Sequence, residues 1–288
     1  MSTLSRVERR FAYRLTLPIV IVLFCLLIFP LAYSVFISTQ SSVGGLEELK
    51  FVGLKNYIEL LRSKIFLNSI KNTVLFVVST VIITIVLGFF VALLLNSIKK
   101  GVKIFRIIFI LPLAIAPVVV GLTWGMMLNP IYGIVNHILD TLNLPVSGWA
   151  TEIKTALITI ILIDTWQWTP FIITILYAGM QMLPKESYEA GKMDGVNKFQ
   201  EIIYITIPLL KPIFIIGLIF RFMDAFKSFD VIYAITKGGP GHATETLVVR
   251  AYLESLSFHR LEMGAVIGVF LLIVTFIITK ISLKYMPK

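Results

Sequence analysis

Charge is scarce in this chain. Asp, Glu, Lys and Arg together supply 15% of its 288 residues, where a soluble domain carries about a quarter. With 57% of residues hydrophobic and a mean hydropathy of +0.91, an ordinary soluble globule is excluded. Cysteine is nearly absent too. Cys25 stands alone, so no disulfide can form within the chain, and inside an apolar run its thiol is expected to be buried and inert. Histidine is limited to His137, His242 and His259, none with further Cys, His or carboxylate neighbours at metal-site spacing, so each is expected to be solvated. No phosphate loop is present either. The glycine-rich 238-GGPG-241 lacks a following Lys-Ser/Thr, and Gly191-Lys192 is followed by Met193. No catalytic constellation such as H-E-x-x-H or paired carboxylates in a membrane helix is evident, and the chain is expected to do no covalent chemistry.

Long apolar runs fill the space left by charge. They lie at roughly 15–37, 72–95, 107–128, 154–180, 212–235 and 262–283, each near the length of about 20 residues that crosses a hydrocarbon core. The reading is an all-α, polytopic membrane protein: one transmembrane domain over 1–288 with six spanning helices. The first run follows Arg6, Arg9, Arg10 and Arg14 like the start of a signal peptide. It is too long and lacks a small-x-small cleavage site, so it reads as a retained helix behind a cytoplasmic N-terminus over 1–14.

The formal net charge of +10 is informative through its placement. Arg6, Arg9, Arg10 and Arg14 precede the first run; Lys99, Lys100, Lys103 and Arg106 separate the second from the third; Lys185, Lys192, Lys198 and Lys211 separate the fourth from the fifth; Lys280, Lys284 and Lys288 end the chain. The opposite loops hold Lys50, Lys55, Arg62, Lys64, Lys71, Lys154, Lys237, Arg250 and Arg260. The first set is larger, and the 96–106 linker holds cations and no acid, so both termini are expected in the cytoplasm. The basic balance is a topology signal and not a nucleic-acid footprint.

The outer loops carry helical patterns of their own. Leu54, Ile58 and Leu61 predict a short amphipathic helix in the first, Ile134, Ile138 and Leu142 one in the second, and Val248, Val249, Tyr252, Leu253 and Leu256 an apolar stripe in the third. The pairs Gly121/Gly125 and Gly264/Gly268 permit close helix approach, within the chain or to a second subunit.

Charge inside the apolar runs needs a reason. In 221-RFMDAFKSFD-230, Arg221, Asp224, Lys227 and Asp230 alternate in sign every three residues. Each charge at a helix centre costs about 2.5–3.5 kcal/mol and each large apolar residue returns about 0.3–0.6. Four charges cost on the order of 10 kcal/mol, so this helix cannot face lipid all round, and part of the ladder should reach a polar interior. In 164-DTWQWTP-170 the fourth run places Asp164, Trp166, Gln167 and Trp168 before a proline expected to disturb the helix. Intramembrane ionisable groups mark polar pathways, and an aromatic beside polar groups offers a sugar-stacking surface. Asp164, Trp166, Trp168, Asp224, Lys227 and Asp230 are therefore candidate pathway residues, against the plainer alternative of a packing cluster with a satisfied carboxylate.

Between the fourth and fifth runs lies a polar insert, 181–211. Its segment 184-PKESYEAGKMD-194 opens with proline and acids, as a helix start does, and stops at Gly195. A second short helix is expected over about 197–207, ending before Pro208. The spacing Glu189-Ala190-Gly191, three residues, Gly195, nine residues, Ile205-Thr206-Ile207-Pro208 resembles the EAA loop of permease subunits of binding-protein-dependent ABC importers. The longer strings 183-LPKESYEAGKMDG-195, 229-FDVIYAITKGGPGHATETLVV-249 and 51-FVGLKNY-57 resemble the sugar-importer branch, of maltose and glycerol-phosphate type. Gly191 stands where the motif usually has its second alanine, and Ile207 where leucine is usual.

The resemblance implies a role for 181–211 as a cytoplasmic coupling loop that docks on an ATPase subunit, through Glu189, Ala190, Gly191, Asp194, Gly195, Ile205 and Pro208. It implies a second permease subunit of similar fold, two cytoplasmic ATPase subunits, an extracytoplasmic solute-binding protein and a sugar or polyol as substrate. ATP and Mg would be bound by the ATPase partners and no cofactor by this chain, in a prokaryotic inner membrane. A permease for another small polar solute, a secondary transporter with internal repeats and a membrane-embedded enzyme are the alternatives. The sequence contains no convincing repeat and no catalytic motif.

Overall fold

The computed structural model describes residues 6–42, 49–98 and 101–285. Lys99, Lys100 and Lys288 of the charge count lie outside the described residues, as do the side chains of Arg6, Arg9 and Arg10 and residues 43–48 of the first loop. The chain is mostly helical. Its helices are α1 (Arg6–Leu23), α2 (Phe29–Ser38), α3 (Lys55–Arg62), α4 (Lys64–Ser97), α5 (Val102–Ile110), α6 (Pro117–Met127), α7 (Ile134–Thr141), α8 (Ala156–Gln181), α9 (Lys185–Met193), α10 (Lys198–Glu201), α11 (Ile207–Lys227), α12 (Asp230–Thr236), α13 (Leu247–Tyr252) and α14 (Leu261–Tyr285). A two-stranded antiparallel ribbon pairs β1 (Gln40–Ser42) with β2 (Leu49–Phe51), Gln40 opposite Phe51.

Five stretches are long and apolar enough to cross a membrane: Tyr13–Ser38, Lys64–Ser97, Ala156–Gln181, Lys198–Thr236 and Leu261–Ile281. A sixth is added if α5 and α6, bent by 93°, count as one. The helix expected over 107–128 is broken in two. Leu111–Ala114 form a 3-10 turn that contains Pro112, Ile115 and Ala116 are extended, and Pro117 starts α6; Ala116 leaves the helical region as a residue before proline favours. Gln167 Nε2 of α8 donates to the freed Ile115 carbonyl at 3.0 Å, which lets the break persist at membrane depth.

Two other prolines do not act as the sequence suggests. Pro170 was expected to disturb its helix, yet α8 runs through it unbroken to Gln181, among packed neighbours on α4 and α11. Pro208 was expected to follow a helix end. Instead α10 passes through a π turn, Ile202–Thr206, straight into α11. A proline ring clashes with the carbonyl four residues back, and the wider π turn, where Ile207 N–H donates to Ile202 O, gives it room. The same device precedes Pro30, where the π turn Phe24–Ile28 joins α1 to α2.

The described residues fall into two compact units, one drawn from Met1–Ser63 and Ala251–Ile273, the other from Lys64–Arg250 and Val274–Lys288. In the first, Asn56 Nδ2 donates to Ser38 O and Gln40 O at 3.1 and 2.6 Å, tying α3 to the ribbon, and Arg260 Nε meets buried Glu254 at 2.7 Å. Cys25, expected to be buried, is exposed on the π turn, since no residue of this helix's apolar window is buried. The stripe Leu54, Ile58 and Leu61 also faces outward, while Asn56 and Leu60 form the inner side of α3.

The second unit is built on α4, α8 and α11, with Ala92, Ile172, Leu176, Met180 and Leu210 at its core. Gly88 lets α4 approach Ile172 of α8, where an added Cβ would lie 2.6 Å from Ile172 Cγ2. Gly121 does the same for α6 against Ala234 of α12. Gly264 packs within the first unit on Ala251 and Ser255, whereas Gly125 and Gly268 face open space. One glycine of each spaced pair thus serves packing inside the chain.

Candidate functional site

The polar insert forms a helix with two distinct faces. Glu186, Glu189, Ala190 and Met193 of α9 are exposed on one side, and Ser187, Tyr188 and Gly191 turn inward. At about 100° per residue these two sets lie on opposite halves of the helix. A Cβ on Gly191 would sit 2.6 Å from Ile205 Cδ1, and Tyr188 Oη lies 3.1 Å from Thr206 Oγ1. Gly191 thus packs against this chain's own π turn. Gly195 takes φ +77°, a left-handed conformation that glycine adopts without strain, and it follows Asp194 at the helix end. Val196 N–H donates to Gly191 O at 3.0 Å. Asn197 and Gln200 then cap α10 reciprocally, each bond 2.9 Å. Asp194, Gly195 and Pro208 are exposed, and Ile205 is half-buried under α9.

Inside the membrane-spanning part, the candidate pathway residues separate. Trp168, Asp224, Lys227 and Asp230 converge, with Pro117 and Phe229, on a pocket of about 200 Å³. Asp164 lies behind it, fully buried and ion-paired to Arg221 Nη2. Arg221 Nη1 is 3.4 Å from Asp224 Oδ2, and the guanidinium carbon stands 5.6 Å from the centroid of the Trp168 ring. The four-charge ladder expected on one helix is interrupted: α11 ends at Lys227, Ser228 is extended, and Asp230 begins α12, where its negative charge suits the helix start. That break turns Asp230 back toward the pocket.

Trp166 is elsewhere. It packs edge-on against Trp124 at 5.5 Å between ring centroids and lines a separate, apolar pocket of about 220 Å³ with Trp149, Leu128 and Ile163. Positions two apart on a helix differ by about 200°, so Trp166 and Trp168 never shared a face. Asp164 and Trp168, four apart, do.

Sequence reasoning missed two features. Arg221 belongs at the centre of the intramembrane cluster, not merely in its ladder. In the loop after α12, buried Glu245 is 2.6 Å from His242 Nδ1, 3.1 Å from Arg250 Nη1 and 3.3 Å from Ser69 Oγ. His242, expected to be solvated, is half-exposed and also paired with Glu245. Asn68 and Asn72 both donate to His242 O at 2.9 Å, and Leu247 N–H donates to Thr73 Oγ1 at 2.9 Å, stitching this loop to the start of α4. The three-residue spacing of His242 and Glu245 was the available signal. His137 and His259 are exposed.

Residues 84–287, which include both the pocket and α9, match the family described as binding-protein-dependent transport system inner membrane component. The chain belongs to this family. The permease is 37% identical over 251 residues to the trehalose/maltose transport system permease protein MalF of Thermococcus litoralis, covering 87% of this chain and 85% of that one. It is 29% identical over 283 residues to the sn-glycerol-3-phosphate transport system permease protein UgpA of Agrobacterium fabrum, covering 96% and 94%. Its fold matches a chain of a bacterial alginate ABC transporter, solved with an alginate pentasaccharide-bound periplasmic protein, at a TM-score of 0.82 and 21% identity over 94% and 92% of the two chains. The permease is a transport component, and in its family ATP is hydrolysed by separate subunits.

Proposed function

We propose that this permease passes a sugar or related polyol across a prokaryotic inner membrane, receiving it from an extracytoplasmic binding protein and driven by two cytoplasmic ATPase subunits. A second permease subunit of similar fold completes the path. In this reading α5 and α6 count as one span, making six, with both termini in the cytoplasm as the cation distribution favours. ATP and Mg belong to the ATPase subunits, whose closure on nucleotide moves the permeases between inward-open and outward-open states.

The observation that carries the coupling role is the outward face of α9. Glu189 offers a charge for a cation of an ATPase, Ala190 a place for close backbone approach, and Met193, 89% exposed, an apolar contact that water does not favour. Asp194 and Gly195 fix the helix end, and Ile205 and Pro208 join the loop to α11. Sugar as substrate is supported by relatives named for trehalose and maltose, arabinooligosaccharides and glycerol 3-phosphate. The pocket agrees chemically: the Trp168 face accepts the C–H surface of a sugar ring, and Asp224, Asp230 and Lys227 supply the few convergent polar groups that orient a hydroxyl-rich ligand. Asp164 acts from behind this wall, and Trp166 contributes only to the flank of the path.

The test is affinity purification of tagged permease in mild detergent, with identification of what copurifies and assay of its ATPase. Wild type should bring an ATPase and a second permease. Glu189→Lys should lose the ATPase or leave its hydrolysis uncoupled from uptake. Normal uptake by Glu189→Lys would remove the coupling role, and a lone chain would count against the proposed assembly with a second permease and two ATPase subunits.

A further inference from the structure

Arg221 is the largest fully buried side chain among the described residues. Its burial beside Asp164 is hard to explain as a device for stability. A buried ion pair is often no more stabilising than well-packed apolar side chains of similar volume, because both charges lose their hydration. Here Asp164 Oδ1 and Arg221 Nε also have no protein hydrogen-bond partner among the described residues, which adds to the penalty. Two leucines could hold α8 against α11 as well.

What leucines could not do is reach three groups at once. The guanidinium sends Nη2 to Asp164 and Nη1 toward Asp224, and sets its carbon over the Trp168 ring. Asp224 and Trp168 are walls of the 200 Å³ pocket, whereas Asp164 is wholly buried behind them. A planar fork with diverging donors meets this geometry, and the point charge of lysine does not. Lys227 lines the same pocket one helical turn beyond Asp224. Without Arg221, Asp224 would be left with Lys227 as the remaining cation of the pocket.

We propose that Arg221 is a positioning residue for the substrate path: its guanidinium holds the Asp224 carboxylate and the Trp168 ring in place, and Asp164 is the counter-ion that lets this charge be buried. The proposal rests on the pocket being part of the path.

Two measurements on the assembled transporter test it. The first is 19F NMR of complex labelled with 5-fluorotryptophan, the Trp168 and Trp166 signals being identified by their loss in Trp168→Phe and Trp166→Phe. Arg221→Lys and the paired Asp164→Asn/Arg221→Gln should shift or broaden the Trp168 signal and leave Trp166, on the opposite face, unmoved. The second is radiolabelled maltose delivered per ATP hydrolysed in proteoliposomes with binding protein. Both variants should assemble in normal amount and hydrolyse ATP, yet deliver less maltose per ATP by about tenfold or more. If Arg221 only staples two helices, assembly falls while the maltose-to-ATP ratio of the surviving complex stays at the wild-type value, which overturns the proposal. An unmoved Trp168 signal in Arg221→Lys overturns it whatever sugar is carried. A moved signal, with maltose transport unaffected by Trp168→Ala and Lys227→Ala, supports the positioning role and removes instead the reading of the pocket as the path.

Discussion

Gly191 and Ile205 show how little room there is beneath α9. The atom that an added methyl would meet is Ile205 Cδ1, at 2.6 Å, the free end of a side chain that can rotate aside. Gly191→Ala should therefore be close to neutral, since alanine also favours a helix by about 1 kcal/mol over glycine. Gly191→Val has no such escape and should cost about 1–3 kcal/mol by overpacking. Adding Ile205→Ala should restore most of that loss, as read from the melting temperature of the purified complex. An equal penalty with and without Ile205→Ala would show that the two side chains do not compete. The motif spacing marked both residues in the sequence, but not that Gly191 points inward, because a nine-residue helix with few apolar positions has little periodicity to orient it. The pairing of Asp164 with Arg221 was beyond reach for a different reason: 57 positions separate them, and only packing brings α8 to α11.

At the scale of elements, proline was the least legible residue. Pro112, Pro117, Pro170 and Pro208 all lie in or beside apolar runs, yet only the first two accompany a break. The outcome depends on what receives the freed backbone groups, and for Ile115 O that is Gln167, a side chain from another helix. Gln167→Leu should leave this carbonyl unpaired in an apolar interior and destabilise the complex by about 1–3 kcal/mol, visible as a lower melting temperature with the helix content of the folded state unchanged. No change in melting temperature would mean that water or a rearranged turn already satisfies Ile115. The apolar runs themselves were readable because a membrane helix needs little beyond length and composition to declare itself. The short amphipathic loop helices were readable in place but not in orientation: Ile134 and Ile138 of α7 and Leu142 just past its end are exposed, as the stripe at α3 is, and Asn136 is the buried residue. Asn136 Oδ1 accepts from Trp149 Nε1 at 2.7 Å, a polar anchor that no hydrophobic pattern reveals.

For the whole molecule, the open point of chain path is the α5–α6 pair. A bend of 93° is compatible with one crossing or with a return to the same side, and the cation count favours one crossing. With Cys25 replaced by alanine, a single cysteine at Ile131, 93% exposed, should react with a membrane-impermeant maleimide added outside intact cells, and one at Lys103 should not. Labelling of both from the same side would make the pair re-entrant and reverse the orientation of every later segment. Charge placement makes this expectation possible from sequence alone, since lysine and arginine in short loops respond to the machinery of insertion and not to the finished fold.

Continuity through Pro208 has a mechanical meaning. From Lys198 to Lys227 the backbone passes from α10 through the π turn to α11 without a non-helical residue, and Ile205, the residue beneath α9, sits on this rod. Sixteen residues on, about 24 Å at a helical rise of 1.5 Å, the same rod carries Arg221. There is no slack between the loop's inner face and the charge buried at the pocket. On the proposed coupling role, a push on α9 would be delivered to this rod, whose far arm ends at the pocket proposed as the substrate path.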